Sequence, residues 1–267
     1  MESILARNSD TVVFQSHRAQ GLPTWVTRCL ASTRQWAEAS GYDYIFIDDA
    51  FFEPLPDWFK AKARGVKPLL ADLARLLAAK RLLSEGYQRA IWVDADVIVF
   101  APEKLSLPRE SLYYFCREIW IDSDAQGLIA RELVNNCVCV FEIGNAFLDF
   151  YTEAVLKIAQ RATGNMLPQV LGTVFLSNLD QLVPIPKLTM VGLFSPGVIR
   201  DIVQGGGHYL AAFKQTVNTP IYAANILSSF AGRIYNNPDG TKFQLSDTVF
   251  GQVVDILLAS GADFIKA

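Results

Sequence analysis

Three short β-rich runs, each ending in polar or acidic residues, constrain the fold of this 267-residue chain more than any other feature. Thr11-Val12-Val13-Phe14-Gln15 ends in Ser16-His17-Arg18, Tyr44-Ile45-Phe46-Ile47 in Asp48-Asp49, and Ala90-Ile91-Trp92-Val93 in Asp94-Ala95-Asp96. Between them lie helical periods. Pro23 opens one, carrying Trp25, Cys29, Leu30 and Trp36 until Gly41 stops it. Pro68 opens another, with Leu69, Leu73, Leu76 and Leu83 on one stripe and Gly86 beyond its end. Strands joined by helices imply a parallel α/β sheet with right-handed crossovers and helices on both faces. Such sheets bind ligands at the carboxyl ends of their strands, so the polar run-ends should converge there.

The second half reads less regularly. Leu112 to Phe115 and Cys137 to Phe141 are expected strands; Ala146 to Ala162 and Asp247 to Ser260 are expected helices. Val97 to Phe100 should continue the third strand beyond its acids. No Pro/Gly-rich linker divides the chain, so one domain is expected over residues 1–267, with a ligand-binding half in 1–110 and a second functional half in 111–267. A hydrophobic fraction of 51% excludes disorder, and a net charge of −3 argues against a nucleic-acid partner. The start, Met1 to Arg7, has an early acid and no apolar core, unlike a secretory leader. The uncharged stretches Ala162 to Leu179 and Gln215 to Gly232 are broken by Gly, Pro and Asn, so neither should span a bilayer. The chain is expected in the cytoplasm, with peripheral contact at the inner face of the membrane left open by its apolar character. Cys29, Cys116, Cys137 and Cys139 have neither zinc nor redox spacing and read as buried thiols, with Cys137 and Cys139 on one strand face.

Asp94-Ala95-Asp96 is the sharpest chemical signal. In an extended stretch, residues i and i+2 face the same way, so both carboxylates can meet one cation. Oxygen donors suit Mg²⁺ or Mn²⁺, completed by water and substrate phosphate. A plain polar turn is the alternative. With Lys67-Pro68-Leu69-Leu70-Ala71-Asp72-Leu73-Ala74-Arg75 upstream, the strand resembles nucleotide-sugar glycosyltransferases of the GT-A fold, including the glycogenin-like and bacterial lipopolysaccharide galactosyltransferase-like groups. The similarity covers roughly residues 10 to 145. It implies a single GT-A-like domain with a Rossmann-like mixed sheet. It further implies a UDP-sugar donor bound by Lys67, Asp72, Arg75, Asp94 and Ala95, a divalent ion on Asp94 and Asp96, with Asp96 catalytic, and a glycan, lipid-linked or protein acceptor.

Other candidates follow from position. Ser16, His17 and Asp48 sit at strand ends beside the expected nucleotide pocket. His208, after three glycines, is the candidate third metal ligand that related families draw from late histidines, with Asn225 or Asp201 as substitutes. Asn135 and Asn136 resemble the asparagine-rich strand entry on the acceptor side of these families; Asn136 is a candidate at the reacting centre. Trp120 and Asp122 belong to a second copy of the pattern, Ile119-Trp120-Ile121-Asp122-Ser123-Asp124, expected as a loop bordering the cleft, either on the acceptor side or simply as a solvated acidic turn. Glu142 and Asp247 are the remaining acids for a base, which a configuration-retaining transfer would not need. Walker, GxGxxG and GxSxG motifs are absent. A dehalogenase-like phosphatase, in which Asp94 would be the nucleophile, and an inactive sugar-binding protein of the same fold are the competing readings.

Overall fold

A computed structural model describes residues 7–124, 126–236 and 240–265, so the start read above at Met1 to Ala6 lies outside the described residues. The three expected strands form β1 (Thr11–Ser16), β2 (Asp43–Ile47) and β3 (Arg89–Val93), interleaved with α1 (Thr24–Ala39), α2 (Asp57–Ala63) and α3 (Lys67–Ser84). β1 pairs in parallel with both β2 and β3. The two-residue period sorts β1 between two apolar layers: Val12 and Phe14 pack with Leu73 and Leu76 of α3, and Val13 packs with Trp36 of α1.

Beyond β3 the chain departs from simple continuation. Asp94 to Asp96 form a tight turn, with Val97 N–H donating to the Asp94 carbonyl at 3.1 Å. β4 (Val97–Val99) then leaves the main sheet. β5 (Tyr113–Asp124) and β6 (Gly127–Glu142) make a long antiparallel hairpin, followed by α4 (Ala146–Arg161), α5 (Thr173–Asp180) and β7 (Lys187–Leu188). β8 (Val191–Leu193), α6 (Pro196–Val203), α7 (His208–Val217) and β9 (Ala223–Asn225) come next, then β10 (Ile234–Asn236), β11 (Lys242–Gln244) and α8 (Asp247–Ser260).

The main sheet has the order β2-β1-β3-β6-β5-β7, and β6 alone runs antiparallel to its neighbours. It is a mixed α/β sheet with helices on both faces, and strands from both halves of the chain share it. A smaller sheet, β4-β9-β8, joins residues 97–99 to 223–225 and 191–193. Among the described residues, no helix is long and apolar enough to cross a membrane.

The antiparallel β6 carries a bulge that the sequence pattern does not announce. Phe115 pairs with Cys139, yet the next β5 residue, Cys116, pairs with Asn135, leaving Asn136 to Val138 without β5 partners. Extra residues on one strand re-aim side chains. Cys137 consequently packs with Trp36 and Ile91 on the α1 side, and Cys139 with Leu73 and Trp92 on the α3 side. The expectation that both thiols share one face is overturned for this reason, although all four cysteines are buried and free.

Candidate active site

A cleft of about 600 Å³ opens at the carboxyl ends of β1, β2 and β3. Ser16 and His17 follow β1, Asp48 follows β2, and Asp94, Ala95 and Asp96 follow β3; all six line it. Lys67, Asp72 and Arg75 reach it from α3, and Asn135 and Asn136 from β6. The convergence at Asp94 and Asp96 comes from the turn rather than from the alternation of an extended strand.

Asp72 and Arg75 lie three apart on α3, on the flank that meets the sheet end, and both are buried rather than forming a surface pair. Arg75 Nη2 stands 3.5 Å from Asp72 Oδ1, and Nη1 lies 3.2 Å from Asp94 Oδ1 and donates to the Asn136 carbonyl at 2.5 Å. The Asn136 Nδ2 donates to Asp72 Oδ1 at 2.8 Å. Trp92 donates its indole N–H to Asp94 Oδ1 at 2.6 Å, stacks on Phe51 at 5.2 Å, and meets the Arg75 guanidinium at 5.0 Å. The bulge in β6 brings Asn136 into this network.

Burial pushes the Asp94 carboxyl up to about 7; the Arg75 charge opposes the rise and the Asp96 charge adds to it. Burial likewise lifts Asp72 to about 6, opposed by Arg75 and by the Asn136 hydrogen bond. The Arg75 guanidinium therefore sits between two carboxylates, Asp72 and Asp94, both held above the usual carboxylate range. Such a site has an unmet demand for positive charge, and its oxygen donors fit a hard divalent cation. Among the described residues, no group of three or more His, Cys, Asp or Glu is arranged to hold a metal ion.

Asp96 is fixed from the far end of the chain. Asn225 Nδ2 donates to its Oδ1 at 2.8 Å, and Ser228 N–H to its Oδ2 at 2.7 Å. Leu227 takes a left-handed conformation (φ 62°) between these donors, turning the chain so that Ser228, Ser229, Ala231 and Arg233 line the cleft. Arg233 stands over the Phe230 ring at 4.4 Å, and Trp25 donates to Asp247 Oδ1 at 2.8 Å on the same wall. His17 is half-buried, its Nδ1 has no hydrogen-bond partner, and burial lowers its titration point.

Five candidates lie elsewhere. Glu142 ends β6 opposite Arg89, the first residue of β3, and pairs with that buried guanidinium at 3.3 Å. Because β6 is antiparallel, Asn136 stands at the cleft end and Glu142 at the opposite sheet edge. His208 is exposed at the start of α7 and lines no part of the cleft. Gly207 (φ 155°) lets the backbone close onto Asp201, which accepts from the Tyr209 and Leu210 N–H groups and pairs with Arg200. The three glycines therefore build a helix entry, and Asp201 is committed to it. Trp120 and Asp122 lie within β5, not in a loop; Trp120 packs 6.0 Å from Phe230, behind the cleft wall, and Asp122 stands 3.9 Å from Arg131.

Asn225, Ser228, Arg233 and Gly172 are the cleft residues that sequence reasoning weighed least. Asn225 did leave a signal: it interrupts the apolar run Ile221 to Leu227, as Asp94 and Asp96 interrupt theirs.

No protein-family profile matches the sequence, and no curated protein matches it. Among solved structures, the chain is similar to a glycosyltransferase involved in the glycosylation of the major capsid of PBCV-1, at 12% identity and a TM-score of 0.45, over 82% of this chain and 93% of that one.

Proposed function

We propose that the protein is a metal-dependent glycosyltransferase that moves a hexose from a nucleoside-diphosphate sugar, with a UDP-sugar the first donor to test, to a glycan, lipid-linked or protein acceptor. The observation that carries this reading is the meeting, in one cleft, of the Asp94 and Asp96 carboxylates with the buried Asp72–Arg75–Asn136 network. Asp94 and Asp96 would hold Mg²⁺ or Mn²⁺, which when bound supplies Lewis-acid neutralisation of the charge growing on a leaving diphosphate.

The chain's own residues supply orientation. Asn225 and Ser228 fix Asp96, and Trp92 and Arg75 fix Asp94, so the two carboxylates are held before a ligand arrives. Ser16, His17 and Asp48 take the nucleoside, and the exposed Lys67 ammonium neutralises phosphate oxygens. Asn135 and Asn136 offer neutral amides to sugar hydroxyls, which do not compete for the cation. Trp120 and Asp122 serve the acceptor side from behind Phe230. Glu142, at the opposite sheet edge, takes no part. The phosphatase reading has weaker support, because its aspartate pair is expected on the opening strand, whereas here two strand–helix units precede β3 and its Asp94 and Asp96. The reading implies a cytoplasmic enzyme working near the inner face of the membrane.

A thermal-shift and donor screen tests this. UDP with Mn²⁺ should raise the melting temperature through linkage, Asp96→Ala should abolish the rise, and nucleotide release should follow one UDP-sugar. An unchanged rise in Asp96→Ala would overturn the metal assignment. Binding without turnover would favour the inactive sugar-binding protein, and phosphomonoester hydrolysis without any nucleotide effect the phosphatase.

A further inference from the structure

The distribution of charge beside the cleft points to a second surface. The chain carries more acids than bases, yet residues 58–71 and 154–179 contain no Asp or Glu. They hold Lys60, Lys62, Arg64, Lys67, Lys157 and Arg161. The fold joins the two segments: α2 packs against α4, and Arg64, just past α2, donates to Asn165 Oδ1 at 2.5 Å, just past α4. Lys60 leans on Asp57 at 3.8 Å, but Lys62, Lys157 and Arg161 form no ion pair among the described residues. Lys157 and Arg161 are four apart and share one face at the carboxyl end of α4. The nearest acids on α4 are Asp149, which pairs with Lys80 at 2.5 Å, and the exposed Glu153, one turn before Lys157, so the acid-free part of this face begins at Lys157.

The same surface is apolar where a soluble face would be polar. Leu167 is 69% exposed, Trp58 41% and Val174 42%. Leu167 and Val174 bracket Pro168, Gln169, Gly172 and Thr173, which line the cleft, and Lys67 lines it from α3. Tyr151 anchors this loop from beneath by donating to the Leu171 carbonyl at 2.8 Å. A rim of the cleft thus presents apolar side chains outward among unpaired cations.

We propose that this face, built from α2, the carboxyl end of α4 and the 162–174 loop, docks on an anionic lipid bilayer, with Leu167 and Trp58 entering the headgroup region and Lys62, Arg64, Lys157 and Arg161 meeting the lipid phosphates. The charge is complementary to an anionic leaflet. A ring of Trp character sits favourably at that interface, and lysine and arginine stems lie along apolar surface while their heads stay in water. Bound this way, the cleft mouth opens beside the bilayer, within reach of a substrate held in it. The inference stands apart from sugar transfer, because vesicle binding needs neither donor nor turnover.

Flotation with vesicles of phosphatidylglycerol and phosphatidylcholine, against phosphatidylcholine alone, tests it. The protein should float with the anionic vesicles only, and less so as salt rises. Lys62→Glu combined with Lys157→Glu and Arg161→Glu should weaken binding at least about tenfold, and Leu167→Ser should weaken it separately, while the UDP–Mn²⁺ thermal shift stays unchanged in both. Equal binding to both vesicle types, or none to either, overturns the proposal. So does a finding that the triple variant instead abolishes self-association in sedimentation or retention on RNA.

Discussion

The Asn225 amide donates to Asp96 Oδ1 at 2.8 Å, across 129 positions of sequence, and both side chains are buried. The contact follows from β4 and β9 pairing antiparallel with Val97 opposite Asn225, which sets the residue before β4 beside the last residue of β9. Removing the amide leaves a buried carboxylate oxygen short of a donor. Asn225→Ala should therefore destabilise the fold by about 1–3 kcal/mol and reduce the UDP–Mn²⁺ thermal shift, as read by urea unfolding and melting curves. A variant with unaltered stability would refute the role given to this bond.

Arg75 is buried against two acidic neighbours, Asp72 and Asp94, in its wall of the cleft. Arg75→Met should cost about 3–5 kcal/mol, because it strands Asp72 and Asp94 beside one another without a counter-charge. Adding Asp72→Asn should recover part of that loss, and a double-mutant cycle in urea measures the recovery. Strict additivity would show that the two residues are not coupled.

Gly172 sits where a side chain has no room: a Cβ there would come within 2.8 Å of Asn136 Nδ2 and 3.1 Å of Asp72 Oδ1. Gly172→Ala should displace the Asn136 amide and lower transfer activity by about tenfold or more, since small misplacements at a reacting centre are costly. Gly164→Ala, in the same loop but with nothing within 4 Å, is the matched control and should behave as wild type. Equal kinetics in the two variants would remove Asn136 from the site.

Burial raises the Glu118 carboxyl above its ordinary value, with the Asn135 hydrogen bond opposing the rise. Its acid constant is thus higher in pH terms when folded than when unfolded, so the folded state binds more protons from about 4.5 upward. Stability from this group is greatest in acid and is lost as pH rises through the folded value. Glu118→Gln keeps an oxygen for Asn135 and removes the titration. The variant should gain on wild type as pH rises from 4 through the weakly acidic range, with each tenfold change in the acid constant worth about 1.4 kcal/mol. Parallel stability curves across that range would contradict the assignment.

Much of the first half was legible because its signals are local. Pro68 at the start of α3, Gly86 after it and the leucine stripe between them mark a helix by spacing alone, and the acid-ended β-rich runs locate the cleft. Asp94 and Asp96 stood out because charge inside Ile91 to Phe100 demands a reason. Glu142 and His208 lie away from the cleft for one shared cause: each has the right residue type at a plausible point along the chain, but strand direction and helix entry decide where a side chain ends up. The antiparallel sense of β6 sends Glu142 to the far sheet edge, and the Asp201 cap fixes His208 at a helix start.

Hydrophobic periodicity and chain punctuation, both properties of neighbouring residues, were enough to determine the α/β alternation, the sheet's first three strands and the two carboxylates at their carboxyl ends. The bulge that turns Asn136 toward Asp72, the crossing of β9 that hands Asn225 to Asp96, and the joining of two acid-free segments beside the cleft mouth were decided only in three dimensions. Each depends on pairing between residues tens of positions apart, and the free energy of such contacts is set by register and burial, which no local pattern encodes.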